Sequence, residues 1–321
     1  MWNLPLFPER ASTGAGEVDA VFLGVMIVVM GFLALIVGLI FVFLVRYRRG
    51  TKVDRSSPPE TDRRLEIAWI VIPFIISMVI FIGAAIVYNR LYDAPADAEV
   101  IDVVGIQWMF TLQHAEGKRE INELHVPIGR SFRLRMISQD VIHSFYVPAF
   151  RVKQDLLPGR YTSLWFKPNK LGTYHLFCAE YCGTKHSGMR GSVIVMEPAD
   201  YERWLEIGGA GLSLAKQGEE LFSRHHCGGC HGASQAVRAP SLNGVYGSQV
   251  PVIESEGRSK EPHFVTADDR YIRDSIVRPK AQIVAGYEPL MPSYQDRLGE
   301  DELLKIIAYL KSIGSPKENA R

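Results

Sequence analysis

Two long uncharged stretches dominate the hydropathy pattern at the beginning of the chain. Residues 20–45 contain 26 positions without a charged side chain, and residues 67–88 contain another 22. A helix needs about 20 apolar residues to cross a bilayer, so each stretch is long enough. A signal peptide, the alternative for the first stretch, has an apolar core of about 7–15 residues that follows positive charge. Here three acidic residues and only Arg10 precede it, which favours two transmembrane helices.

The segment between the two stretches is strongly basic. Its cationic residues are Arg46, Arg48, Arg49, Lys52, Arg55, Arg63 and Arg64. Because short loops rich in Lys and Arg stay in the cytoplasm, this segment is predicted to be cytoplasmic. The amino terminus and everything after Tyr88 are then expected on the outer side of the membrane, anchored by a helical hairpin.

The pattern between residues 98 and 198 changes to short runs typical of β-strands. Phe132–Met136 alternates strictly between apolar and polar positions, and residues 191–196 form a short run rich in β-branched side chains. Pro127–Gly129 and Pro158–Arg160 supply turns between such runs. Many short strands bounded by turns predict a β-sandwich or barrel.

Helical periodicity returns after residue 211. Gly208–Gly211 is interpreted as a linker, and a helix is predicted from about Ser213 toward Cys227. A second amphipathic helix is predicted from Glu300, with an apolar face formed by Leu303, Leu304, Ile306, Ile307, Leu310 and Ile313. The expected organisation is an extracytoplasmic amino terminus (1–17), a transmembrane hairpin (18–90), an all-β domain (91–206) and an all-α domain (207–321).

Charge and cysteine content restrict the classes of function that the chain can have. The chain carries 36 Lys and Arg against 35 Asp and Glu, for a formal net charge of +1. A chain that is nearly neutral overall argues against a nucleic-acid-binding protein, because such proteins need a clustered basic surface. Its 4 cysteines are too few for a disulfide scaffold of this length, and they form two close pairs whose spacing suggests cofactor chemistry.

The first pair belongs to a run of soft metal ligands. Cys178, Cys182, His186 and Met189 follow one another with the spacing C-x3-C-x3-H-x2-M. Copper prefers such ligands, and two cysteines four residues apart can bridge two copper ions through shared sulfurs. A second imidazole is needed, and His143 in an earlier segment is the expected donor. A disulfide and a zinc site are the alternatives, although Met is a poor zinc ligand.

The second pair belongs to the sequence Cys227-Gly-Gly-Cys230-His231. C-x-x-C-H is the attachment signature of c-type haem, in which two thioethers fix the porphyrin and the histidine binds iron. Electron carriers commonly use Met as the sixth ligand, and Met291 is the sole Met after Met196. A thioredoxin-type redox pair is the alternative, but no βαβ pattern accompanies it.

Residues 18–206 resemble subunit II of the haem-copper cytochrome c oxidases, with a cupredoxin-like domain after two transmembrane helices. The resemblance implies a dinuclear copper centre, CuA, whose ligands match His143, Cys178, Glu180 (through its backbone carbonyl), Cys182, His186 and Met189. It implies further that the side chain of Glu180 binds Mg²⁺ at the interface with the catalytic subunit. Trp108 matches the residue that receives electrons, although Phe110 stands where a second Trp is common.

Glu66 has two interpretations. It lies at the cytoplasmic end of the second transmembrane stretch, close to Arg63 and Arg64, where it could be an interfacial charge paired with those arginines. The resemblance instead places it at the mouth of a proton channel.

Residues 211–315 resemble a class I cytochrome c, and the whole chain is similar to subunit II of the cytochrome-c-fused, caa-type bacterial oxidases. The resemblance implies that electrons from a cytochrome c or an upstream bc complex pass through haem c and Trp108 to CuA. They then reach haem a of subunit I, where O₂ is reduced to water with proton pumping. Subunits I and III, lipid and the bacterial cytoplasmic membrane are the implied surroundings. The alternative is a membrane-tethered electron carrier that feeds another acceptor, such as a nitric oxide reductase.

Overall fold

The computed structural model describes residues 7–54, 56, 61–207, 212–232, 239–255 and 261–313. Two long helices come first, α1 (Ala15–Arg46) and α2 (Arg63–Tyr92). Both are long and apolar enough to cross a membrane, and their apolar side chains face outward. The side chain of Asp62 caps α2 by accepting hydrogen bonds from the amides of Arg64 and Leu65, which satisfies amides that have no partner within the helix.

The segment before α1 is packed against the β domain. Ala11 is fully buried and donates its amide to the carbonyl of Ala149 at 2.9 Å. Asp19, in the first turns of α1, accepts hydrogen bonds from Arg10 Nε at 2.7 Å and from Arg151 Nε at 2.8 Å. These contacts fix the beginning of the first transmembrane helix to the domain that follows the second.

Ten strands form a sandwich of two five-stranded sheets. They are β1 (Glu99–Ile106), β2 (Met109–Gln113), β3 (Arg119–Ile121), β4 (Glu123–Pro127), β5 (Phe132–Ser138), β6 (His143–Val147), β7 (Val152–Leu156), β8 (Thr162–Phe166), β9 (Gly172–Cys178) and β10 (Arg190–Met196). The first sheet has the order β3-β2-β1-β5-β8 and the second β4-β10-β9-β6-β7. The β1–β5 and β4–β10 pairs are parallel. Buried aromatic and aliphatic side chains such as Phe110, Phe132 and Phe145 fill the space between the sheets.

The second soluble domain is mainly helical. Helix α3 (Pro198–Ile207) precedes this domain and packs on the sandwich. The elements of the second domain are α4 (Leu214–Arg224), α5 (Gly228–His231), β11 (Gln249–Glu254), β12 (His263–Thr266), α6 (Asp269–Val277), β13 (Gln282–Val284) and α7 (Glu300–Ser312). The predicted linker, Gly208–Gly211, lies outside the described residues. The small sheet of order β12-β11-β13 was not predicted, because strands of three to six residues leave little periodicity to detect.

Helices α4 and α7 approach each other closely at Gly218. A Cβ atom built on Gly218 would lie only 1.9 Å from the carbonyl oxygen of Lys305, so the crossing requires glycine there. One turn further on, the rings of Phe222 and Tyr309 pack with their centroids 5.3 Å apart. This helix pair forms one wall of the domain's cavity.

Candidate functional site

The end of β9 and the loop after it bring together the predicted copper ligands. The sulfurs of Cys178 and Cys182 lie 3.7 Å apart, too far for a disulfide bond of about 2 Å, and both thiols are free. The Sγ atom of Cys182 is 3.5 Å from His186 Nδ1 and 3.8 Å from Met189 Sδ. Cys178, Cys182 and Met189 are each buried. Two thiols, an imidazole and a thioether therefore converge on one point.

His143, at the beginning of β6, completes this cluster from a neighbouring strand. One donor atom from each of His143, Cys178 and Cys182 lies within 4.8 Å of the others. The Nε2 atom of His143 pairs with Asp140 Oδ1 at 2.7 Å, whereas its Nδ1 atom is buried without a hydrogen-bond partner in the described part of the chain. An unpartnered imidazole nitrogen beside two sulfurs is the arrangement that a soft metal ion would satisfy.

The two thiols have different proton affinities. Burial acts to raise the pKa of Cys178, but hydrogen bonds from neighbouring groups outweigh it and bring the pKa down to about 6. Burial and the adjacent Cys178 raise the pKa of Cys182 to about 12. Cys178 is therefore the more acidic thiol of the pair.

Glu180 and Trp108 both lie against the cluster. The carbonyl oxygen of Glu180 lies 3.2 Å from Cys178 Sγ, and its side chain is exposed. The half-buried indole of Trp108 donates from Nε1 to the carbonyl of Cys182 at 3.2 Å. The ammonium group of Lys185 lies 5.6 Å from the centroid of the indole ring. Trp108 is thus hydrogen-bonded directly to the backbone of a predicted copper ligand.

Sequence reasoning missed two polar residues that support the cluster. Asp140 accepts from the amide of Gln107 at 2.7 Å while holding His143, and Gln107 Nε2 donates to the carbonyl of Cys182 at 2.8 Å. Their signal in the sequence is weak, because Asp140 precedes a predicted ligand by three residues but nothing local connects it to Gln107. The connection depends on β1 and β5 lying side by side.

A separate cavity of about 620 Å³ lies in the helical domain. Its lining includes the predicted haem residues Cys227, Cys230, His231 and Met291, together with apolar side chains such as Phe222, Leu242, Leu298, Ile306 and Leu310. His231 Nδ1 lies 2.9 Å from the carbonyl of Pro240, a contact in which Nδ1 is the donor. Nε2 is therefore the nitrogen free to bind a metal. An apolar cavity with two thiols, an imidazole and a thioether on its wall fits a covalently attached haem.

Glu66 lies in the first turn of α2 and is partly exposed. Within the described residues it forms no ion pair with Arg63 or Arg64, the partners that the simpler interpretation would require. Its surroundings in this chain alone do not define a channel.

A second buried cluster of titratable groups holds α3 on the sandwich. Glu120 accepts from His114 Nε2 at 2.8 Å and from the amide of His125 at 3.0 Å, and it also pairs with the ring of His125. Tyr201 of α3 contacts the other ring nitrogen of His114 at 3.1 Å. The rings of His114 and His125 therefore hold Glu120 and α3 against the sandwich.

The Glu120 cluster makes stability depend on pH. Burial acts to raise the pKa of Glu120, but hydrogen bonds from His114 and His125 lower it below its ordinary value. The carboxylate therefore stabilises the fold above about pH 4.5, and this contribution is lost as pH falls through the lowered pKa. We expect Glu120→Gln to cost about 1.5–3 kcal/mol at neutral pH and to flatten the acid side of the stability curve. Denaturant unfolding as a function of pH measures this, with the exposed Glu123→Gln as the matched control. Equal losses in both variants would contradict it.

Fold and site define a membrane-anchored electron-transfer subunit with a copper centre and a haem domain. Comparisons with known proteins identify the family to which each part of the chain is similar. Residues 1–85 match the family described as cytochrome c oxidase subunit II, transmembrane domain. Residues 111–197 match the periplasmic domain of the same subunit, and residues 215–314 match cytochrome c. The three matches follow the order of the three units predicted from the sequence.

Several curated relatives match over most of their length. Cytochrome c oxidase subunit 2 of Alkalihalophilus pseudofirmus is 29% identical over 305 residues, which cover 89% of this chain and 84% of the relative. The corresponding protein of Thermostichus vulcanus is 32% identical over 62% of this chain and 77% of its own length. That of Synechocystis is 30% identical over 63% and 76%. A solved periplasmic domain of subunit II from Bradyrhizobium japonicum is 29% identical and covers 36% of this chain and 96% of its own, with a TM-score of 0.35.

The chain belongs to the cytochrome c oxidase subunit II family, in its caa-type form with a fused cytochrome c domain. It is the electron-transfer subunit of a haem-copper oxidase complex, anchored in the membrane with its copper domain on the periplasmic side. His143, Cys178, Cys182 and Met189 form the cluster of the CuA site. The predicted family and fold class are confirmed.

Proposed function

We propose that electrons enter this subunit at haem c, pass to CuA and leave for haem a of subunit I, where O₂ is reduced to water with proton pumping. The donor is a cytochrome c or an upstream bc complex. The observation that carries this route is that one chain contains both a convergent cluster of soft ligands and a cavity lined by the C-x-x-C-H sequence. When bound, the haem and the copper pair each supply reversible one-electron chemistry.

In the haem cavity, Cys227 and Cys230 would attach the porphyrin, and His231 and Met291 would bind iron. The contact between His231 Nδ1 and the carbonyl of Pro240 supports this assignment, because it orients the ring and presents Nε2. A thioether as the second axial ligand raises the reduction potential, which suits a carrier that passes electrons onward.

In the copper domain, Cys178 and Cys182 would bridge the metal pair, with His143, His186 and Met189 as terminal ligands. Glu180 would contribute its carbonyl, which already lies beside Cys178 Sγ. Its exposed side chain is free to bind Mg²⁺ where subunit I docks. Carboxylate oxygen is a ligand type that Mg²⁺ prefers, which supports this finer assignment.

Trp108 is proposed to act in electron transfer and Glu66 in proton uptake. Trp108 would receive electrons next to copper, which its hydrogen bond to the carbonyl of Cys182 supports. Glu66 would lie at the mouth of a proton channel shared with subunit I; its position in the first turn of α2, at the end that the basic loop predicts to be cytoplasmic, supports this.

The proposed functional units are residues 1–17, the hairpin 18–90, the copper domain 91–206 and the cytochrome domain 207–321. Subunit I, with haem a and the second copper site, and subunit III are the proposed partners in the bacterial cytoplasmic membrane.

Purification of the native complex tests the proposal. We expect a copper pair and a covalently attached haem for each copy of this chain, and oxygen uptake when a reduced cytochrome c is supplied. Flash reduction of the haem should be followed by reduction of CuA and then of haem a. A complex without copper in this chain, or one that reduced nitric oxide and not O₂, would overturn it.

A further inference from the structure

The cytochrome domain covers the outer face of the first β-sheet. Leu304 of α7 is 2% exposed and packs against Val104 of β1 and Ile137 of β5, with Tyr161 and Ile106 around them. The neighbouring α7 side chains Leu303, Ile306 and Ile307 belong to the core of the cytochrome domain instead. Helix α7 therefore buries apolar side chains on two sides, one toward its own domain and one toward the sandwich.

Four charged side chains form a network of ion pairs across the same interface. Asp102 and Arg135 are cross-strand neighbours on β1 and β5, and the guanidinium group contacts both oxygens of Asp102 at 2.6 and 2.9 Å. Its Nη1 atom donates to Asp269 Oδ2 of α6 at 2.8 Å, and Lys311 Nζ of α7 lies 2.8 Å from Asp269 Oδ1. Two charges come from each domain, and the sum of the four is zero.

Three of the four side chains in the network are shielded from water, and the side chain of Lys311 is 34% exposed. The side chains of Asp102 and Arg135 are 3% and 12% exposed, and that of Asp269 is 21% exposed. Ion pairs in such surroundings are screened by salt much less than surface pairs are. Removing one partner leaves an uncompensated buried charge, so the network favours one docked arrangement over separated domains.

The same packing brings a residue next to the haem cavity close to the segment that precedes the copper ligand His143. Leu298 lines the cavity, and a methyl group built on the adjacent Gly299 would lie 3.9 Å from Gln139 Oε1. Gln139 donates its amide to the carbonyl of Gly105 at 3.0 Å. The next residue is Asp140, which holds the copper ligand His143 at 2.7 Å. Gly299, which follows a residue lining the haem cavity, thus lies close to Gln139, which precedes the residue that orients a copper ligand.

We infer that Arg135 and Asp269 are positioning residues, whose ion pair sets how the cytochrome domain lies on this sheet for transfer from haem c to CuA. The inference rests on the proposed electron route. Each transfer removes one electron from the haem iron and adds one to the copper pair, and no proton is bound or released by the interface residues. A fixed contact makes the transfer rate independent of protein concentration and only weakly dependent on salt.

The test compares two isosteric changes in α6 within the intact complex. Asp269→Asn removes the charge that joins Arg135 to Lys311, whereas Asp274→Asn, the matched control, alters a carboxylate that pairs within its own domain with Arg273 and Arg278. Asp269→Asn should slow the transfer that follows flash reduction of the haem and make it fall with added salt. The spectra of both metal centres should be unchanged, and amide exchange in β1 and β5 should rise. Asp274→Asn should behave as wild type, and Asp269→Glu should restore much of the rate.

Two outcomes would overturn the inference. One is equal transfer rates and equal exchange in Asp269→Asn and Asp274→Asn. The other is a slower rate in Asp269→Asn with unchanged exchange and salt dependence. If Asp269→Asn did not fold, Asp102→Asn on the opposite domain would replace it, with the same expected changes. A wild-type complex without any transfer from haem to copper would instead refute the proposed electron route.

Discussion

Replacing Cys178 with serine is expected to abolish the mixed-valence dicopper spectrum. A hydroxyl oxygen is a hard, weakly basic donor and does not bridge two soft ions as thiolate sulfur does. The sulfurs of Cys178 and Cys182 lie 3.7 Å apart, close enough that both could bind the same two copper ions. With one sulfur gone, the remaining ligands suit at most a single ion. Copper analysis and electron paramagnetic resonance of the purified complex measure the loss.

The matched control for Cys178→Ser is the same substitution at Cys230, in the haem cavity. Cys230→Ser should leave copper content and the dicopper spectrum at wild-type levels while removing one thioether bond to haem. Retention of a copper pair in Cys178→Ser would contradict the bridging role. A wild-type protein with a single copper and a blue-site spectrum would contradict the dinuclear centre itself.

Most of the cluster of soft ligands could be predicted because its members lie within one short segment. Cys178, Cys182, His186 and Met189 fall within twelve residues, so their spacing alone indicates convergence. The support of His143 by Asp140 and Gln107 could not be predicted. It depends on the parallel register that places Gly105 opposite Ser138, and nothing local in the sequence specifies that pairing.

The two transmembrane helices extend beyond the uncharged stretches that predicted them. The uncharged stretches span residues 20–45 and 67–88, whereas the helices run from Ala15 to Arg46 and from Arg63 to Tyr92. Apolar length reflects the thickness of the hydrocarbon core. The additional helical turns depend on capping and ion pairing, such as the side-chain cap at Asp62 and the ion pairs of Asp19.

Net charge gave an incomplete view of how the two soluble domains interact. Residues 91–210 carry 13 Lys and Arg against 14 Asp and Glu, and residues 211–321 carry 14 against 14. Two nearly neutral domains are expected to attract each other little at long range. The structure nevertheless places Asp102, Arg135, Asp269 and Lys311 in one buried network. A count of charges contains no information about which of them share an interface, because that depends on how the sheet and helices pack.

The second large effect is expected from Met291→Ala, which removes the proposed sixth ligand of the haem iron. Haem should stay covalently attached through Cys227 and Cys230. Loss of the axial sulfur should lower the reduction potential and let carbon monoxide bind to the reduced iron. Redox titration and the carbon monoxide difference spectrum measure both changes.

The control for Met291→Ala is a matched truncation nearby, Leu290→Ala, since Leu290 is 66% exposed and contributes a side chain of similar size. It should keep the wild-type potential and remain closed to carbon monoxide. Because electrons must flow from haem c to copper, a lowered haem potential in Met291→Ala should make this transfer more favourable while slowing reduction of the haem by its donor. An unchanged spectrum and potential in Met291→Ala would instead assign the sixth ligand to another side chain. His226, which also lines the cavity, would then be the first candidate, and His226→Ala should show the changes expected of Met291→Ala.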